Sequence, residues 1–251
     1  MISPAVVLDH VQKTYGQGAQ AHTALQSVSL EVPAGEFLCL LGASGCGKST
    51  LLHLIAGLEP PTSGSVSVPA GGAAMMFQDP ALFPWLSVAD NIGFPLARKG
   101  LGATAQKARV QELLAMVNLD GWGHRQPHEL SGGMRQRVAL ARALAQDARV
   151  LLMDEPFAAL DAMMRDRLHD EIERVWRETG LTIVFVTHNV REAARLADRV
   201  IVLASHPGRI AGEFSVKLPR PRRIDAPEVA QLSRTITDSL RSVLRGNDDA
   251  S

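Results

Sequence analysis

Phe37-Leu38-Cys39-Leu40-Leu41-Gly42-Ala43-Ser44-Gly45-Cys46-Gly47-Lys48-Ser49-Thr50-Leu51-Leu52 is the stretch on which the fold turns. Its apolar first third predicts a strand; Val150 to Met153 and Thr182 to Val186, nearly all apolar without alternation, predict central strands covered on both faces. Gly42 to Ser49 then follow the spacing G-x-x-x-x-G-K-S, and the residues from Ser49 onward are helix-forming. Glycines let the backbone N–H groups of Gly42, Ala43, Ser44, Gly45, Cys46 and Gly47 curl around a polyphosphate. The helix start adds its positive end, and Lys48 places a cation near the outer phosphates. Ser49 offers a hydroxyl to magnesium, with Thr50 beside it on the first helical turn.

Working outward, similar aliphatic runs occur at Val6 to Val11, Leu25 to Val32, Ala73 to Phe77, Val150 to Met153, Leu181 to Val186 and Arg199 to Leu203, many separated by helical patterns. That alternation predicts an α/β fold with a largely buried sheet. The first two runs have no helix between them and predict an antiparallel β layer beside the parallel core. Between about Pro80 and Ala148 strands disappear and helical periodicity takes over, as at Val110, Leu113, Leu114 and Val117, so a helical insertion is expected there. Beyond Leu203, turn signals lead into a basic, proline-punctuated stretch. An amphipathic helix then follows, with Val229, Leu232, Ile236, Leu240 and Val243 on one face and Asp225 with Glu228 as a capping box. The expected organisation is a domain over residues 1–215, with the helical part inserted at about 80–148, and a C-terminal basic segment and helix over 216–251.

A second nucleotide element is Val150-Leu151-Leu152-Met153-Asp154-Glu155. An apolar strand ending in two acids delivers them to its C-terminal edge, where open α/β sheets bind ligands. There Asp154 can hold magnesium and Glu155 can polarise an attacking water.

Composition narrows the partners. The 251 residues carry 26 Lys+Arg and 26 Asp+Glu, which argues against nucleic acid bound through bulk positive charge. Two cysteines, Cys39 and Cys46, are too few for a disulfide framework and suit a reducing compartment. The first residues lack the basic-then-apolar pattern of a secretory leader, and no apolar run reaches the roughly 18 to 20 residues of a membrane span. A membrane role would therefore require a partner. Cys46, at a helix start and beside Lys48, is expected to have a lowered pKa and to react with thiol reagents, the alternative being that it packs under the loop.

A phosphate-binding loop alone also fits a kinase, a GTPase or a motor. Within the helical insertion, however, stands Leu130-Ser131-Gly132-Gly133-Met134-Arg135-Gln136-Arg137. This resembles the signature motif of ATP-binding cassette proteins, and the resemblance covers most of the chain. It implies a P-loop NTPase core with an antiparallel β layer and an inserted helical subdomain, binding ATP and Mg2+. It also implies roles residue by residue. Tyr15 would stack on adenine, the alternative being a strand-end tyrosine packed on the core. Gln78 would be the Q-loop glutamine at the magnesium, Asp161 would belong to the D-loop, and His188 would be the switch histidine at the γ-phosphate. Ser131, Gly132 and Gly133 form a helix start suited to an anion. In the family that anion is the γ-phosphate held by a second copy, packed head to tail. Met134 stands where the family often has glutamine, and Asn189 where aspartate is common.

Without membrane spans of its own, a cassette of this kind implies an importer: permease subunits, an extracytoplasmic solute-binding protein reached through them, and a peripheral position on the cytoplasmic face of the inner membrane. Residues 75–92, 154–168 and 206–223 resemble the subfamily importing aliphatic sulfonates, taurine or nitrate, with sulfonates favoured; Pro84-Trp85 and the Leu218–Arg223 segment are the most specific. The basic segment has two readings, a solvated patch or a binder of lipid or a regulator. A non-transport cassette ATPase is the alternative from another class. A phosphoryl-transferring kinase would leave the signature unexplained.

Overall fold

The structure is a computed structural model that describes residues 3–248, leaving aside the side chains of Ala19 and of 242–248; Val243 on the last helix thus lies outside the described side chains. A three-stranded sheet has the order β2-β1-β4, built from β1 (Pro4–Tyr15), β2 (His22–Pro33) and β4 (Ser63–Ser67), with both pairings antiparallel. A six-stranded sheet has the order β5-β6-β7-β3-β8-β9. Its strands are β3 (Phe37–Gly42), β5 (Ala73–Met76), β6 (Val150–Asp154), β7 (Thr182–Val186), β8 (Arg199–Ala204) and β9 (Arg209–Ser215). All neighbours in it run parallel except β8 and β9.

Every residue of β3 is buried, and alternate ones serve two separate cores. Phe37, Cys39 and Leu41 face a core shared with helices, whereas Leu38 and Leu40 face one shared with β1, β2 and α1 (Lys48–Ile55). The same split holds for Leu151 against Leu152, Phe185 against Val184 and Val200 against Ile201. Burial on both faces explains why these strands read as continuous apolar runs.

The inserted helices are α2 (Val88–Arg98), α3 (Ala103–Met116) and α4 (Gly132–Leu144), as the periodicity predicts. Asn91 on α2 is fully buried and satisfied: its amide donates to the carbonyls of Phe83, Leu86 and Ser87 and accepts from the N–H of Phe83. It ties the loop from Phe83 to Ser87 to the start of α2. Helices α5 (Ala162–Thr179) and α6 (Val190–Leu196) flank β7, and α7 (Pro227–Asp248) packs on α6, β8 and β9. Among the described residues no helix is long and apolar enough to cross a membrane.

Three expectations need correction. Two strands are added: β4, whose small polar residues carry no apolar signal, and β9, which occupies part of the stretch expected as turns. The basic segment is solvated only in part, Lys217 and Arg223 being exposed. Arg222 is buried, donating to the carbonyls of Leu218, Arg195, Ala197 and Val216, and burial pushes its pKa down to about 10. Arg220 bridges Glu173 and Asp198 and lies over the Trp176 ring, 4.4 Å from its centroid. The capping box at α7 is also absent: the helix starts at Pro227, and the carboxylate of Asp225 is held by Arg223.

His169 on α5 gives the fold a pH signature. It is fully buried, and desolvation, reinforced by Arg195 and Arg165, pushes its pKa down to about 3. In the unfolded chain the value is about 6.5, so between these limits the unfolded state takes up a proton that the native state refuses. Stability from this residue is complete above the unfolded pKa and is lost as pH falls toward the folded one, by at most about 5 kcal/mol. We expect His169→Gln to flatten the acid limb of stability; urea unfolding at several pH values between neutrality and pH 4 would show it.

Candidate functional site

Parallel strands that lie side by side end at one edge, and β6, β7 and β3 are neighbours. Their C-terminal ends therefore bring together Asp154 and Glu155, His188, and the loop Gly42–Ser49. The glycines of that loop are dictated by space as well as by φ. Gly45 and Gly47 have φ of +79° and +93°, and a Cβ on Gly47 would stand 2.6 Å from Leu25 Cδ2. A Cβ on Gly42 would stand 2.4 Å from Cys46 Sγ. Lys48 is buried, its Nζ donating to the carbonyls of Gly42 and Ala43 at 2.9 Å each.

Glu155 adopts the left-handed region, φ +44°, which costs a non-glycine residue roughly 1 to 2 kcal/mol. Its N–H donates to the Val186 carbonyl, holding the turn in register with β7. So placed, its Oε2 lies 2.9 Å from His188 Nδ1. One cleft of about 370 Å³ is lined by Tyr15, Ser44, Gly45, Gly47, Lys48, Ser49, Thr50 and Glu155. His22 and Ala24 line it too; the sequence carries no motif that marks them, and they reach the cleft because β2 pairs with β1, His22 standing opposite Tyr15.

Tyr15 does not pack into the core. It is partly exposed, its hydroxyl donates to Glu59 Oε2 at 2.8 Å, and Lys13 Nζ lies 5.0 Å from the ring centroid. The geometry leaves it an aromatic surface at the cleft rather than a buried strand end.

Ser131, Gly132 and Gly133 are not among the residues lining that cleft. Ser131 caps α4 by accepting from the N–H of Met134, so the departure at Met134 leaves the cap intact. Asp161 caps α5 by accepting from the N–H of Met164. The two helix starts pack together: a Cβ on Gly132 would stand 3.3 Å from Leu160 Cδ2, and one on Gly133 would stand 2.5 Å from Met164 Sδ. Gln78, exposed after β5, is tied to α4 through its carbonyl, which accepts from Gln136 Nε2. Asn189 caps α6 by accepting from the N–H of Arg191.

The family described as ABC transporter matches residues 25–158. The chain belongs to the ABC transporter family. Among ABC relatives, the taurine import ATP-binding protein TauB of Burkholderia thailandensis is 48% identical, the match covering 84% of each chain. The aliphatic sulfonates import ATP-binding protein SsuB of Rhodopseudomonas palustris is 43% identical over 98% of this chain and 85% of its own. The nitrate import ATP-binding protein NrtD of Synechocystis is 40% identical over 90% and 89%. Among solved structures, the dimeric ATP-binding cassette MJ0796 in a post-hydrolysis state bound to ADP and Pi superposes with a TM-score of 0.75 at 32% identity, covering 85% of this chain and 100% of that one.

The cysteines of this ABC protein are corrected in part. Cys39 is buried as expected, but Cys46 is buried as well, packed under the loop, and desolvation pushes its thiol pKa up in spite of Lys48. We therefore expect the folded protein to resist maleimide at both positions and to label at both in urea. Mass spectrometry checks this; rapid labelling of native Cys46 would contradict the packing.

Proposed function

We propose that this ABC ATPase hydrolyses ATP with Glu155 as the group that polarises water and His188 as its partner at the γ-phosphate, driving import of a small anion. Supporting this reading above all is the 2.9 Å contact of Glu155 with His188 at the edge of the cleft that also holds the phosphate loop. Backbone N–H groups of Gly42 to Gly47, with Lys48, would cradle the phosphates, and Tyr15 would stack on adenine with Thr50 nearby. Among the described residues no cluster of three or more His, Cys, Asp or Glu could hold a metal alone. The oxygen donors Ser49, Gln78 and Asp154 suit Mg2+, an ion that keeps waters and shares phosphate oxygens. When bound, it neutralises charge on the transferred phosphoryl group.

Since Ser131, Gly132 and Gly133 are no part of the cleft lining, they are suited to the nucleotide of a second copy, with Asp161 beside them. The proposed assembly is a head-to-tail pair beneath a permease on the cytoplasmic face of the inner membrane, fed by an extracytoplasmic binding protein. Aliphatic sulfonates are our first choice of solute, with taurine and nitrate as alternatives that identity does not separate.

Glu155→Gln should keep ATP binding and lower turnover by about 100-fold or more, since the amide keeps the shape but not the charge. Trapped ATP would then shift the protein to a dimer in size-exclusion chromatography with magnesium. A variant that stays monomeric, or turns over like the parent, would count against the mechanism. Growth of a deletion strain decides the solute: we expect it to lose growth on an alkanesulfonate as sole sulfur source and to keep growth on sulfate. Loss on taurine only, or on nitrate only, reassigns the anion.

A further inference from the structure

Behind the Glu155–His188 pair lies a polar cluster that the reaction so far leaves unused. Glu192, on α6, is buried, and its Oε2 accepts from Thr187 Oγ1 at 2.5 Å. The same Thr187 oxygen accepts from the N–H of Asn189 at 3.0 Å, so the turn is pinned on both sides of His188. The other carboxylate oxygen, Oε1, lies 3.6 Å from Arg165 Nε and 3.6 Å from His169 Nε2. Arg165 in turn donates through Nη2 to the carbonyl of Leu160, the residue before Asp161. His169 Nδ1 faces Arg195 Nη1 at 3.3 Å, and Asp166 and Asp170 pair with that arginine. Glu155 and His188 line one small cavity of about 20 Å³ together with Arg165, Thr187 and Glu192.

As a stabilising device this cluster is poorly made. Burial raises the carboxyl pKa of Glu192, and both Arg165 Nε and His169 Nε2 are buried without a hydrogen-bond partner. Charges buried this way return little stability, because desolvation offsets their attraction. What the cluster does provide is geometry, joining two loops that approach the catalytic pair from different strands and helices.

We propose that Glu192 is a positioning residue for hydrolysis: through Thr187 it fixes the turn that holds His188 against Glu155, and through Arg165 it ties that turn to the loop bearing Asp161. The proposal rests on the reading of Glu155 and His188 given above.

The test compares steady-state ATPase and ATP affinity for the full-length parent, Glu192→Ala, Glu192→Gln, Thr187→Val and the Ala–Val double variant. Glu192→Ala should lower kcat by about tenfold with the Kd for ATP within about twofold of the parent, the pattern of an interaction felt in the transition state. Glu192→Gln, which keeps an acceptor for Thr187, should restore kcat to within about threefold of the parent. Thr187→Val, which cuts the link to Glu192 and also the acceptor for the Asn189 N–H, should lower kcat as well, and the double variant should lose clearly less than the product of the two single losses, since the two changes share the Thr187–Glu192 link. Parent-like kcat in Glu192→Ala, losses that multiply, or a parallel loss of ATP affinity would each overturn the proposal. Should Glu192→Ala fail to fold, Thr187→Val against Glu192→Gln decides alone. A parent without magnesium-dependent ATPase would instead remove the reading of the site on which this rests.

Discussion

Everything in this molecule follows from a strand that meets no water. With β3 buried along its whole length, its two faces must be covered by different layers, and its polar chemistry is left to the loop that follows it. The antiparallel sheet with α1 covers one face and the remaining helices cover the other. Because β6 and β7 share that burial and run parallel to β3, their ends fall into line with its own. Adjacency of the phosphate loop, the acids and the histidine is thus a consequence of sheet order rather than of any attraction among them.

Other loops, those after Gln78 and before Ser131 and Asp161 among them, are held by a recurring device, an arginine donating to main-chain carbonyls. Arg142 holds Pro80 and Ala81, Arg135 holds Leu130, Arg165 holds Leu160, and Arg222 holds the approach to α7. Loop carbonyls removed from water need donors, and a planar guanidinium supplies several from one side chain. Cost attends this choice, since each buried guanidinium loses hydration, as the lowered pKa values of Arg142 and Arg222 record. The return is that loops around a charged ligand keep their shape without a hydrophobic core of their own.

How much of this was legible depended on whether the signal was local. The phosphate loop, the acid-ended strand and the helical insertion were readable because spacing and periodicity are properties of neighbouring residues. Ser63–Ser67 and Arg209–Ser215 were not: the first has one apolar side chain, the second interrupts the alternation of Ile210 and Phe214 with Gly212, and each becomes a strand because a partner pairs with it. Charge misled in the basic segment, since Arg222 looks the same in sequence whether it faces water or carbonyls. Cys46 misled for a related reason. A helix start and a nearby lysine are visible in sequence, but the close approach of Gly42 that seals the thiol is not.

The paired glycines at the start of α4 show how one residue type can meet two demands at once. A helix start that is to receive an anion must carry no bulky side chain of its own over its first amides, and Gly132 and Gly133 carry none, although Gly133 is itself buried. The same absence of side chains lets Leu160 and Met164 come within contact, so the start of α4 packs directly on the start of α5. On the proposed reading, a signature that closes on a second copy's nucleotide carries the Asp161 loop with it. That loop is also where Arg165 meets Glu192, and Glu192 meets the turn of His188. On the same reading, a contact made for the partner's nucleotide would be connected, through side chains of one subunit, to the histidine proposed for its own γ-phosphate.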